Sequence, residues 1–308
     1  MTDSTKIIFA NHEIRKSRQQ KTYFIDWVTE YAKAKGYEVS VEKGSFKSRN
    51  IVIGDPDNAK VIFTAHYDTC AAMPMPNFIT PKSFICYLLY QLVLTLVIIA
   101  VPAVAAALVG LINEVIVPLV AVLGIYLILF LMMFGPANKH TGIDYTSGVS
   151  AVIDLLTVLA EDKRGEVAFV LFDLEEAGLI GSSSFAKKHR KSIKNTLLIN
   201  FDCVSDGENI LFALNRKAKG YKETIEKAYI PKGIFSVDVA YKSVFYPSDQ
   251  MNVRLGVGVA ALKKSKRFGV LYMDKIHTVK DTVYNEKNID FLVEGSLKLV
   301  DNISTKNS

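Results

Sequence analysis

The spacing of apolar and polar positions divides the chain into two unlike parts. Phe84–Gly110 runs 27 residues without a charge, Val115–Phe134 adds 20 more, and between Lys82 and Lys139 only Glu114 is charged. A bilayer core takes about 20 apolar residues per helix. The pattern therefore predicts a transmembrane helical hairpin that turns around Asn113 and Glu114. Pro102 and Pro118 kink helices but do not forbid spanning. Elsewhere the runs are shorter and alternate in kind. Ile14, Phe24, Ile25, Trp27, Val28 and Tyr31 among many charges predict an amphipathic helix from about Glu13 to Lys35, ended by Gly36. Tyr37–Val41 alternates as a strand does. Val61–Ala65, Val167–Phe172 and Leu197–Phe201 are short apolar runs of the kind found in buried strands. Ser147–Leu159, Ser182–Arg190 and Ile289–Val300 carry helical spacing. Strands alternating with helices predict an α/β fold, a three-layer α/β/α domain around a mostly parallel central sheet. A hairpin returns the chain to the side it left. Residues 1–81 and 137–308 are thus expected to form one discontinuous domain, with 82–136 inserted as the hairpin.

Composition sharpens this picture. Half of the 308 residues are hydrophobic and the mean hydropathy is positive; the apolar insertion accounts for the excess. The N-terminal stretch lacks the apolar core of a signal peptide. The turn between the two apolar runs has no Lys or Arg, whereas Lys82 and Lys139 flank them on the domain side, so the domain is expected to be cytoplasmic. Cys70, Cys86 and Cys203 give neither a disulfide framework nor a Cys-x-x-Cys metal pair. Cys70 and Cys203 read as small buried residues. Gly256-Val257-Gly258 is too short to signal nucleotide binding, and no nucleic-acid motif is present. The basic run Lys187–Lys191 reads as a solvated helix end or a contact with lipid headgroups. His12 and His189 read as solvent-facing, and His140, beside Lys139, as interfacial.

The informative chemistry lies where strands end. VIFTA runs into His66-Tyr67-Asp68-Thr69, VAFVLF into Asp173-Leu174-Glu175-Glu176, and LLINF into Asp202; Ile276-His277-Thr278 and Asp281-Thr282 come later. In open α/β sheets, ligand sites form beyond the carboxyl ends of strands. Imidazole and carboxylate suit zinc and metals of similar hardness. Two dications at about 3.5–4 Å need a bridging anion and several carboxylates. Asp68, two residues past His66, is placed to hold that imidazole's other nitrogen. Of the adjacent Glu175 and Glu176, one can ligate metal while the other faces water.

The pieces TAHYDT, GIDYTSG, FDLEEAGLIGS, INFDC and IHTVKDT resemble, in order, the motifs of the M28 family of zinc aminopeptidases, and the likeness spans everything but the hairpin. It implies a zinc-aminopeptidase-like domain with two Zn2+ ions, other divalent metals being alternatives. His66 and Asp202 would hold one ion, Glu176 and His277 the other, with Asp144 bridging. Glu175 would be the general base and acid in hydrolysis of N-terminal peptide bonds, and Tyr246 would donate a hydrogen bond to the tetrahedral oxyanion. Tyr145, after the bridging position, and Gln250, in place of a histidine, depart from the family pattern where substrate termini are recognised. Expected partners are a peptide substrate and the lipid bilayer; homo-oligomerisation is left open. A glutaminyl-cyclase-like enzyme and an inactive peptidase-fold scaffold are the alternatives. The hairpin is expected to be an anchor and guide outside the chemistry.

Overall fold

The computed structural model describes residues 1–306. Nine strands form its sheet: β1 (Val39–Lys43), β2 (Arg49–Ile53), β3 (Val61–His66), β4 (Val167–Phe172), β5 (Leu197–Phe201), β6 (Asn209–Leu214), β7 (Ser236–Ala240), β8 (Gly256–Lys264) and β9 (Leu271–Tyr272). The order is β1-β2-β4-β3-β5-β8-β6-β7, with β9 beside β8. Pairing is parallel through the central β4, β3, β5 and β8, and antiparallel for β1–β2, β2–β4, β6–β8 and β8–β9. The sheet is thus mixed, and its parallel centre is where the sequence carries its apolar runs.

These runs are apolar throughout because both faces are covered. Along β4, Val167, Phe169 and Leu171 enter one core cluster, while Ala168, Val170 and Phe172 enter the other, the period of two that a pleated strand imposes. The larger cluster lies under α1 (Asp3–Asn11), α2 (Arg18–Ala34), α5 (Thr146–Val158), α7 (Lys222–Ala228) and α8 (Glu286–Lys306). The smaller lies under α6 (Ile180–Lys188). α2 starts later than its amphipathic pattern suggests. Ser17 and Gln20 form a capping box there, satisfying main-chain donors that a helix start leaves open. The preceding turn buries Arg15 completely, its Nε donating to the Tyr67 carbonyl at 2.6 Å.

α3 (Phe84–Gly110) and α4 (Val117–Phe134) pack side by side. Both are long and apolar enough to cross a membrane, and their hydrophobic side chains stand exposed from Leu88 to Phe134. The hairpin joins the domain firmly at both ends. At its entry, Lys82 pairs with Asp238 of β7 at 2.8 Å. At its exit, Ala72 N–H donates to the Pro136 carbonyl at 3.0 Å, and buried Asn138 donates to the Thr278 carbonyl at 3.0 Å. Lys16 also reaches across to the Met133 carbonyl.

His189 departs from its expected solvent-facing position. It is buried, with Nδ1 2.6 Å from Asp57 and Nε2 3.1 Å from Glu42. Burial opposes its imidazolium, but these two carboxylates outweigh that effect and raise its pKa. Lys188 pairs with Glu42 as well, so part of the basic run clamps the end of α6 to the β1–β2 side of the sheet.

Candidate metal centre and active site

Three sheet strands deliver the polar residues to one edge. His66 is the last residue of β3, Asp202 follows β5, and Glu175 and Glu176 follow β4 by a short turn. α5 brings Asp144, which precedes its first turn. Gly148 allows this approach: a Cβ there would meet the Phe201 carbonyl oxygen at 2.3 Å. Absence of a side chain lets the helix press against β5 and sets Asp144 beside Asp202.

The side chains converge. His66 Nε2 lies 3.4 Å from Asp144 Oδ1 and 3.7 Å from Asp202 Oδ1. His277 Nε2 lies 2.9 Å from Asp144 Oδ2 and 3.0 Å from Glu176 Oε1. The two oxygens of Asp144 thus face two different histidines. Asp144 Oδ2 is buried and takes part in no hydrogen bond, its approach to His277 lacking the required direction. Histidine nitrogens and carboxylate oxygens turned toward one another without hydrogen-bond geometry suit cations placed between them. The donor set, two imidazoles and three carboxylates, is the one zinc favours. The residues therefore fit a metal centre. Burial works against charge on Asp144, but His277 and His66 outweigh it and hold its carboxyl far below the usual range.

Glu175 stands apart from this arrangement. Its main-chain N–H donates to Asp68 Oδ1 at 3.0 Å, while among the described residues nothing donates to its carboxylate. It lines the cavity with the ligand set. Burial, reinforced by Glu176, Asp249 and Asp202 against the pull of His66, raises its pKa well above the ordinary value. A carboxyl group poised in this way can exchange a proton with whatever enters the cavity.

Asp68 acts differently from the expected imidazole support. Its Oδ1 is 3.7 Å from His66 Nδ1, which is without a hydrogen-bond partner. It accepts instead from the N–H groups of Glu175 and Glu176, at 3.0 and 3.4 Å, and so fixes the turn that aims both glutamates. Tyr246 borders the cavity, but its hydroxyl donates to the Asp202 carbonyl at 3.0 Å. An oxyanion contact would require exchanging that bond.

The two departures from the family pattern lie behind the site, not at its mouth. Tyr145 is buried; its hydroxyl donates to Glu176 Oε1 at 2.7 Å, and its ring stacks on His277. It orients two candidate ligands. Gln250 is also buried, bound through Nε2 to the Tyr246 carbonyl at 2.6 Å. Cys70 approaches Glu176 and His277 closely enough to count as a metal-binding atom. Its thiol donates to the Ala71 carbonyl, and burial pushes its pKa up to about 12. Cys203 donates to Asp202 Oδ1 at 3.0 Å.

Backbone strain concentrates here. Tyr145, Leu174, Cys203 and His277 all have φ between 56° and 61°, a region that costs of order 1–3 kcal/mol for residues with a side chain. Each is a candidate ligand or adjoins a ligand or the proton-exchanging Glu175. Sequence reasoning missed a further contribution: Tyr87 and Gln91, from the first turns of α3, line the same cavity of about 140 Å³. A uniformly apolar helix hides its facing, and only their polarity marked them. Asp249 stands behind the general-base position. It is fully buried near Glu175, and burial pushes it up to about 7.

A mixed sheet with histidines and carboxylates at the carboxyl ends of its parallel strands places the molecule among the zinc-exopeptidase-like α/β folds. The Zn-dependent exopeptidase of Parabacteroides distasonis superposes with a TM-score of 0.61 at 14% identity, over 96% of this chain and 94% of that one. A glutaminyl cyclase from Porphyromonas gingivalis gives 0.61 at 14%, over 97% and 94%. The LapA aminopeptidase of Legionella pneumophila gives 0.59 at 12%, over 97% and 68%. At such identities the likeness concerns the fold. No curated protein matches the sequence. The sequence model of peptidase family M28 matches residues 135–292, just over half the chain, and the protein belongs to that family. The match takes in Asp144, Glu175, Glu176, Asp202, Tyr246 and His277 but begins after His66. Membership of that family supports a hydrolase.

Proposed function

We propose that the protein is a membrane-anchored aminopeptidase holding two zinc ions. The observation that carries this reading is Asp144 set between His66 and His277, with Asp202 and Glu176 completing the two groups and Glu175 free beside them. His66 and Asp202 would hold one ion and His277 and Glu176 the other, with one oxygen of Asp144 facing each group. When bound, such ions act as Lewis acids and acidify water. Glu175 takes a proton from the attacking water and passes it to the leaving amine. Asp68 and Tyr145 keep the glutamates aimed. Residues 1–81 and 137–308 act as one peptidase domain, and 82–136 spans the bilayer.

The test is a peptide panel, free and N-acetylated, with an N-terminal glutamine peptide included and products read by mass spectrometry. Release of single residues from free termini alone supports the reading. Loss of ammonia from the glutamine peptide without cleavage would make the enzyme a cyclase, and no turnover of any peptide by metal-loaded protein would leave a scaffold.

The apolar surface of α3 and α4 supports insertion. At 1.5 Å per residue α3 is about 40 Å long, some 10 Å more than a hydrocarbon core. Its first turns, with Tyr87, Tyr90 and Gln91, accordingly stand at the interface, where tyrosines collect. The active-site mouth then lies against the membrane surface, suited to peptides that partition there. The domain faces the cytoplasm, because Lys82 and Lys139 lie on its side. A cysteine introduced at Asn113 should react with an impermeant thiol reagent in intact cells; labelling of the catalytic domain with protection at Asn113 would reverse the topology.

Since Tyr87 and Gln91 wall the cavity, the hairpin also selects substrate. Gln91→Ala is expected to raise KM by roughly two- to tenfold, the worth of one hydrogen bond, with metal content unchanged. An unaltered KM across the peptide panel would place Gln91 outside substrate binding.

A further inference from the structure

We propose that the foot of the hairpin carries a binding site for one anionic phospholipid, an acyl chain lying in the groove beside Cys86 and the headgroup against Lys264, Lys266 and Arg267. The inference rests on the membrane reading above.

The groove has a volume of about 640 Å³ and is walled by Phe78, Val270, Tyr272 and Phe268, with Cys86 of α3 at one side and Asp274, paired with Lys263, also lining it. Phe78 stacks on Tyr272 at 5.8 Å, so these walls are built against each other. Cys86 belongs to the first turn of the helix that enters the bilayer in this reading. An acyl chain running beside the interfacial foot of α3 therefore lies next to the groove.

The β8–β9 turn supplies the second half. It is held shut by Ser265 N–H donating to the Val270 carbonyl and Gly269 N–H donating to the Ser265 carbonyl, both at 2.9 Å. Its tip presents Lys264, Lys266 and Arg267, all exposed, and Phe268, which is 73% exposed with the Arg267 guanidinium over its ring at 5.2 Å. Their neighbour Lys263 is neutralised by Asp206 and Asp274, at 3.1 Å and closer. Among the described residues, the three cations at the tip form no ion pair. A hydrogen-bonded turn with unpaired cations and an exposed aromatic ring, beside a groove with aromatic walls, matches both halves of an anionic lipid. A solvated turn would need neither the ring nor the groove.

The test uses the full chain, purified in neutral detergent and delipidated. Native mass spectrometry then follows binding of phosphatidylglycerol and phosphatidylcholine of equal chain length, offered together. One phosphatidylglycerol per chain should be retained in preference. The triple variant Lys264→Gln, Lys266→Gln, Arg267→Gln should lose roughly 100-fold in its affinity for that lipid, and Phe268→Ser should weaken it too. Dihexanoyl phosphatidylglycerol, too short for the groove, should not be retained. Equal retention of both lipids, or an unaffected triple variant, overturns the site. Carbonate washing of cell membranes separates this outcome from a failure of the membrane reading. If the wild-type chain is released by carbonate, insertion itself fails and the lipid site with it. If the chain stays but shows no preference, only the lipid site falls.

Discussion

Replacing Glu175 by Gln is expected to cut turnover by roughly 10²–10⁴-fold or more, the range for loss of a general acid–base group, while both metal ions stay bound. The substitution keeps the side chain's size and the main-chain bond to Asp68, and removes only the group that exchanges protons. No ligand distance depends on the Glu175 carboxylate, so metal analysis of the purified variant should match that of the parent chain. Near-normal turnover at full metal content would show that another group moves the proton. Asp249, buried nearby and pushed up to about 7, would be the next to examine.

The ligands should fail in a different and ordered way. His66→Ala is expected to bind one equivalent of zinc fewer, as is His277→Ala, and Asp144→Ala should bind neither ion well, because its two oxygens face both histidines. Activity should fall with metal in all three. Tyr145→Phe is the graded case: it removes the hydroxyl on Glu176 and should weaken metal affinity by about 10–100-fold, the usual effect of losing a residue that orients a ligand. Full occupancy in His66→Ala or His277→Ala, measured by elemental analysis after gel filtration, would refute the ligand assignment.

What the sequence revealed followed from burial. β3, β4 and β5 sit in the middle of the sheet, so their residues are apolar on both faces, and an abrupt His or Asp at the end of such a run stands out. β8 is equally central but went unread, because it opens Gly-Val-Gly-Val and glycine is a weak strand former. The structure explains the second glycine: a Cβ on Gly258 would meet the Gln250 side chain at 2.7 Å. α1 was missed for want of length; nine residues capped by Thr2 give too few turns to show a period. The Ser17–Gln20 capping box was present in the sequence and would have moved the start of α2 to its true place. The supporting tier of the site was the least legible. Tyr145 was taken for a recognition residue because nothing in its neighbours shows that it turns inward, and Asp68 was assigned to the imidazole because sequence spacing cannot tell a ring nitrogen from a main-chain N–H.

The hairpin's double attachment, through Lys82 and Asp238 at one end and Pro136 and Asn138 at the other, has a mechanical consequence. A protein on a single flexible tether can roll on the membrane; in the proposed membrane-anchored form, attachment at two points would restrain this one. A transmembrane hairpin that adjusts its tilt to bilayer thickness would carry the attached domain with it. In the proposed arrangement membrane thickness would set the gap between the cavity mouth and the lipid surface. In bilayers of increasing acyl-chain length, cleavage of membrane-bound peptides should pass through an optimum, whereas cleavage of a small soluble substrate should stay level.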